Sequence, residues 1–189
     1  MTIYSAVLFV HVVSALGIFA ALSFEAATLR RLRGSTGSRE ARVWLGYSPD
    51  LPAWGLAAFV FMLFSGIYLA TEMSGWMLAW VQVAMGTLIL LAPLGGVSAR
   101  KMRAIRLACA AEDAEDASLP TILRDPFLKL SINLRIALVL GVVLLMTSKP
   151  DLLESLGAIV GFTVLGLVST AVFWRGNAVS PIRRAESRQ

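Results

Sequence analysis

Charge in this chain is confined to short clusters, and between them it runs for the thickness of a membrane without any. No Asp, Glu, Lys or Arg occurs from Met1 to Phe24, from Leu51 to Thr71 or from Met73 to Ala99, and Ile136–Ser148 and Ser155–Trp174 are equally free of them. An α-helix rises 1.5 Å per residue, so Ile3–Phe24 reaches roughly 33 Å, enough to cross a hydrocarbon core of about 30 Å. Hydrophobic residues make up 57% of the 189 and charged ones 15%. A soluble domain is usually about 45–50% apolar, and a fold this small has no interior for the excess. The pattern predicts an all-α protein: a polytopic transmembrane helix bundle with spans at about 3–24, 53–71, 76–98, 131–148 and 152–174. These form one membrane domain, residues 1–175, with a basic tail at 176–189.

The net charge of +5 would suggest nucleic acid in a soluble protein. Here it follows from where the cations sit. Arg30, Arg31, Arg33, Arg39 and Arg42 fall in the first loop, Arg100, Lys101, Arg103, Arg106, Arg124 and Lys129 between the third and fourth spans, and Arg175, Arg183, Arg184 and Arg188 in the tail, whereas the other side has only Lys149. Cytoplasmic loops carry such an excess, so the expected topology is N-out and C-in, with no nucleic-acid partner. Tyr4, Tyr68, Trp76 and Trp80 then fall near the outer interface and Trp54 and Trp174 near the inner one, as in aromatic belts. Met1–Phe24 has no basic segment ahead of its apolar run and reads as a span, not a leader. Five spans do not divide into equal halves, which speaks against a transporter built from repeats.

The loops hold fewer signals. Gly34–Ser38 reads as a turn, and Val43–Tyr47 either lies on the membrane surface or belongs to a solvated connector. Glu112, Asp113, Glu115 and Asp116 lack the alternation and the glycine of a calcium loop, so a solvated acidic turn is expected. Asp125–Pro126 has the form of a helix start. Pro93 with Gly95–Gly96 is expected to bend the third helix, and Cys109 is read as a reduced structural thiol.

An ionisable residue inside a span marks a functional candidate, and His11 is the sole histidine. Two readings stand side by side: imidazole ligating a haem iron or metal, or a neutral ring hydrogen-bonded to Ser14 or Ser65. With one histidine, bis-histidine haem within a chain is excluded, and no C-x-x-C-H motif is present for covalent haem. Arg135 lies within the inner part of the fourth span, where it either snorkels to the interface or turns inward to pair with Glu25. Lys149 before Pro150 is read as an interfacial anchor, and Gln82 as a bond across helices. Met62, Met85 and Met146 are read as packing residues. Gly157 and Gly161 form a G-x-x-x-G, which predicts close helix contact within the bundle or between copies.

The first helix reads L-F-V-H-V-V-S-A-L-G from Leu8 to Gly17, and the fourth ends M-T-S-K-P at Pro150. A first-span histidine with a late-span K-P resembles a group of small bacterial integral membrane proteins, similar in turn to copper-resistance D-type proteins and to the membrane-embedded protoporphyrinogen oxidase, which binds b-type haem. The resemblance covers the first four spans and implies His11 and Lys149 as cofactor-binding residues and haem b as the cofactor. The residues themselves lead first to an inner-membrane structural, assembly or accessory component, with lipids and other membrane subunits or a second copy as partners. The resemblance adds a haem-binding oxidoreductase and a copper-handling protein as alternatives. Catalysis is left open.

Overall fold

The computed structural model of the protein describes residues 2–34, 51–110 and 126–176. Five helices fill this range: α1 (Ile3–Gly34), α2 (Leu51–Glu72), α3 (Ala79–Ala110), α4 (Pro126–Ser148) and α5 (Leu152–Gly176). All are long and apolar enough to cross a membrane. In hydrocarbon each backbone polar group needs a partner inside the chain, and a helix supplies one locally. The basic residues of α1 and α3 place one end of the bundle, where α1 and α3 finish and α2 and α4 begin. That end is called the basic end below.

Two helices outrun their expected spans. The first span was expected to close at Glu25, with a loop from Ala26, but α1 continues to Gly34. Its extension is amphipathic: Leu29 and Leu32 are buried against Met102 and Ile105 of α3 and Leu128 and Ile132 of α4. The extension of α3 through Arg100–Arg106 follows the expected helical course, and α3 runs through Pro93 unbroken. The third span was expected from Trp76, but Gly75–Met77 forms a 3-10 turn and the α-helix starts at Ala79. Gln82, expected to bond across helices, instead donates from Nε2 to the Trp76 carbonyl of that turn at 2.9 Å.

The helices form two groups. α1 packs along α2, and α4 along α5, while α3 packs on α4 and less on α5; α1 meets α4 between the groups. Helix α4 is therefore central, with 44% of its apolar window buried, whereas α5 is peripheral, with 11%. The 3-10 turn touches both α2 and α3 and holds the groups together at the end opposite the basic one. At mid-depth, Ile18, Leu22, Met62, Leu88, Leu91, Leu138 and Val139 form the main core. Leucines and phenylalanines on the outer faces, such as Phe9, Leu16, Phe61 and Leu165, are exposed, as expected where the surrounding solvent is apolar.

Asp151 caps α5, its Oδ1 accepting from the Glu154 N–H at 2.9 Å, a start signal that sequence reading passed over. Lys149 closes α4 in the left-handed region at φ 49°, its N–H reaching the Leu145 carbonyl at 2.9 Å. The expected Asp125 cap, the surface stretch Val43–Tyr47, the acidic cluster Glu112–Asp116 and the tail beyond Gly176 lie outside the described residues.

Candidate binding cavity

Small residues set how close the helices come. A Cβ added at Gly166 of α5 would lie 3.1 Å from Ala137 Cβ and 3.2 Å from Leu134 Cα, and one at Gly141 of α4 would lie 3.0 Å from Ile159 Cδ1. Gly17 faces Ala58 and Gly55 faces Ala21 in the same manner across α1 and α2. The expected packing pair behaves differently. Gly157 and Gly161 face open space, with nothing within 4 Å of an added Cβ. Close contact inside the chain goes instead through Gly141 and Gly166, because α5 turns the opposite face toward α4.

α2 is not packed along α3, and a cavity of about 470 Å³ lies between α1, α2, α3 and α4. Ile18 and Leu22 of α1, Phe59 of α2, Leu88 and Leu91 of α3 and Val139 of α4 wall its deep part. Small residues keep it open: Ala21, Ala53, Gly55, Ala92, Gly95, Gly96 and Ala99 all line it. An added Cβ at Gly95 or Gly96 meets nothing within 4 Å. The pair Gly95–Gly96, read in the sequence as a bending site, therefore borders the void.

Glu25 and Arg135, also in the lining, are joined across the two groups. Arg135 Nη2 donates to Glu25 Oε1 at 2.6 Å, and both side chains are largely buried. The Arg135 Nε–H reaches the Ser131 carbonyl of its own helix at 3.4 Å. Arginine 135 thus turns inward and does not snorkel. The pair occupies the contact between α1 and α4 and joins elements 110 positions apart. Two neutral contacts also join helices: Ser98 with Ser131 at 2.7 Å, and Asn133 Nδ2 donating to Thr170 Oγ1 at 3.0 Å.

His11 sits apart from this cavity, buried between α1 and α2. Ser65 Oγ donates to the Phe61 and Met62 carbonyls at 2.6 and 3.2 Å, so its one proton is used. Its contact with His11 Nδ1 at 3.0 Å is then a bond that Nδ1–H donates, which leaves the lone pair on Nε2. The ring lies over Gly66, where an added Cβ would meet Cε1 at 3.2 Å. Ser14, Ile18 and Leu22 share the buried face of α1 with His11. Ser14 bonds the Val10 carbonyl instead of His11.

No family of known proteins, no curated protein and no solved structure matches this chain.

Lys149, the second residue of the resembled haem site, is exposed at the end of α4. It forms no side-chain hydrogen bond or ion pair among the described residues. The cavity wall begins at Ile18, two turns from His11 along α1, and includes neither His11 nor Lys149. Among the described residues, no three His, Cys, Asp or Glu side chains come together as a metal cluster. Met62 and Met85 belong to the mid-depth core and Met146 packs against its neighbour.

Proposed function

We propose that this chain is an accessory component of a bacterial inner membrane that holds a small apolar molecule within its bundle. The carrying observation is the cavity: about 470 Å³, walled by aliphatic and small side chains, with few polar groups. Ligand sites have this size and character. In this reading the basic end faces the cytoplasm, and the Glu25–Arg135 pair fixes the two helix groups around the ligand. An uncharged solvatochromic dye titrated into the full chain in detergent tests it. Saturable binding near one dye per chain is expected. Gly95→Leu, at a lining position where an added Cβ meets nothing within 4 Å, should abolish it, while Gly157→Leu on the open face should leave it intact. Unchanged dye binding by a folded Gly95→Leu protein would rule the reading out.

A second reading has one observation behind it. A histidine whose Nδ1–H is held by Ser65 presents Nε2 in the tautomer that ligates haem iron or copper. An absorption spectrum of the protein purified from haem-replete cells decides for haem. A Soret band lost in His11→Gln supports ligation, and no band in the native protein removes that part of the reading.

A further inference from the structure

We infer that the molecule held in this cavity carries a neutral oxygen head, a carbonyl or a hydroxyl, which accepts a hydrogen bond from Arg135 beside Glu25 while its apolar remainder fills the deep part. This rests on the cavity's being a binding site, as proposed above, and adds the chemistry of its occupant.

The Glu25–Arg135 pair borders the apolar deep part. On α1 the lining passes from Ile18 and Leu22 to Glu25, and on α4 from Val139 to Arg135, about one helical turn at each last step. From Leu88 to Ala99, α3 offers only apolar or small residues to the cavity over about 16 Å. Thr28 and Arg106 line it farther toward the basic end, and Arg106 is already engaged. An oxygen at the end of a chain seated in the deep part therefore meets Arg135 and Glu25 before any other charged group.

The pair has hydrogen-bonding capacity to spare. A guanidinium carries five N–H donors. Arg135 uses one at Nε, toward the Ser131 carbonyl, and one at Nη2, toward Glu25 Oε1. Arg135 Nη1 and Glu25 Oε2 make no bond among the described residues. Neither atom is sealed from open space, and both residues line the cavity. Charge balance selects a neutral head. The two charges neutralise each other, so an anionic head would face the Glu25 carboxylate and a cationic one the Arg135 guanidinium at the same contact. An uncharged oxygen brings no charge into the bundle and accepts a charge-assisted bond from Arg135. A hydroxyl also has a proton to donate to Glu25 Oε2.

Access is lateral. α2 and α3 are not packed along each other, being linked through the 3-10 turn at the opposite end. Leu56 on one side and Ala92 and Gly96 on the other line the void while remaining exposed. A neutral lipophile dissolved in the bilayer therefore reaches the pair from the side without passing through water.

The test compares pyrene-labelled probes of equal chain length on the full chain in an uncharged detergent: a primary alcohol, an alkane, and an alkyl sulfonate that stays anionic at any working pH. The alcohol should bind about tenfold more tightly than the alkane, a difference that one charge-assisted hydrogen bond can supply, and more tightly than the sulfonate. In Glu25→Leu combined with Arg135→Met, which leaves no orphaned charge, the preference for the alcohol should vanish while the alkane still binds. A folded double variant that keeps the preference would refute the placement of the head. A long-chain ketone with an isotope-labelled carbonyl gives a second readout that needs no variant. Bound to the native protein, its carbonyl stretch should fall to a lower frequency than in detergent alone, as a hydrogen bond from a guanidinium requires. An unshifted carbonyl in the bound ketone would overturn the inference, and so would a sulfonate that binds more tightly than the alcohol. Equal binding of alcohol and alkane by the native protein would also overturn it and leave the apolar cavity reading standing. Failure of every probe to bind would overturn the cavity reading with it.

Discussion

Glu25 and Arg135 form a contact that neither residue could sustain alone. A charge left in a membrane interior without its partner is costly, and removing one member of a buried pair typically costs about 3–5 kcal/mol. Arg135→Met should therefore lower the thermal stability of the detergent-purified protein by an amount of that order. Glu25→Leu combined with Arg135→Met should recover most of the loss, because two apolar side chains leave no orphaned charge. The measurement is a thermal unfolding series on both single variants and the double variant. If the double variant is no more stable than the worse single, the pair acts through something other than mutual neutralisation. His11 and Ser65 illustrate the gentler case, a neutral bond of about 1 kcal/mol whose main effect is to choose a tautomer.

At the level of helices, closeness is decided by a few hydrogens in place of methyl groups. Gly166 of α5 sits over the backbone of α4, with Asn133 O 3.3 Å from an added Cβ, and backbone cannot step aside as a side-chain tip can. Gly166→Leu should cost about 1–3 kcal/mol by overpacking. Gly157→Leu and Gly161→Leu should be close to neutral in the monomer, since both positions open outward. Thermal stability in detergent checks all three, and a Gly157→Leu penalty matching that of Gly166→Leu would mean that the outward face is covered by another chain. The continuation of α1 to Gly34 has a related cause. Leu29 and Leu32 recur at helical spacing and find the ends of α3 and α4 to pack against, so the helix continues past its charge-free run.

For the molecule as a whole, the asymmetric placement of its cations predicts an orientation with the N-terminus outside and the C-terminus inside. Reporter fusions after Gly37, Asp116 and Gln189 should read as cytoplasmic, and fusions at Ser74 and Asp151 as external. An external signal at Asp116 would defeat this orientation, because both neighbouring spans would have to invert against their basic flanks. The arrangement in two groups gives the protein its cavity: a short turn ties α2 to α3 at one end, and nothing comparable draws them together at the other.

The number of helices and their approximate limits were readable from the amino acids. A membrane helix satisfies its own backbone bonds, so long charge-free runs translate into spans without reference to neighbours. The Glu25–Arg135 pair was readable for a related reason: ionisable groups are so costly in lipid that two of them at one depth are each other's natural partners. Which faces of the helices meet was not. With an apolar solvent outside, inner and outer positions carry the same residue types, as exposed Leu16 and Leu165 and buried Leu22 and Leu145 show. Hydrophobic periodicity then has no contrast to report. Gly157 and Gly161 show the same limit: a small-residue motif says that a surface permits approach and not that anything approaches it, and no described residue comes within 4 Å of an added Cβ at either position. The cavity was hidden for the same reason. It exists because α2 is not packed along α3 where Gly95 and Gly96 leave space, an outcome of three-dimensional packing alone.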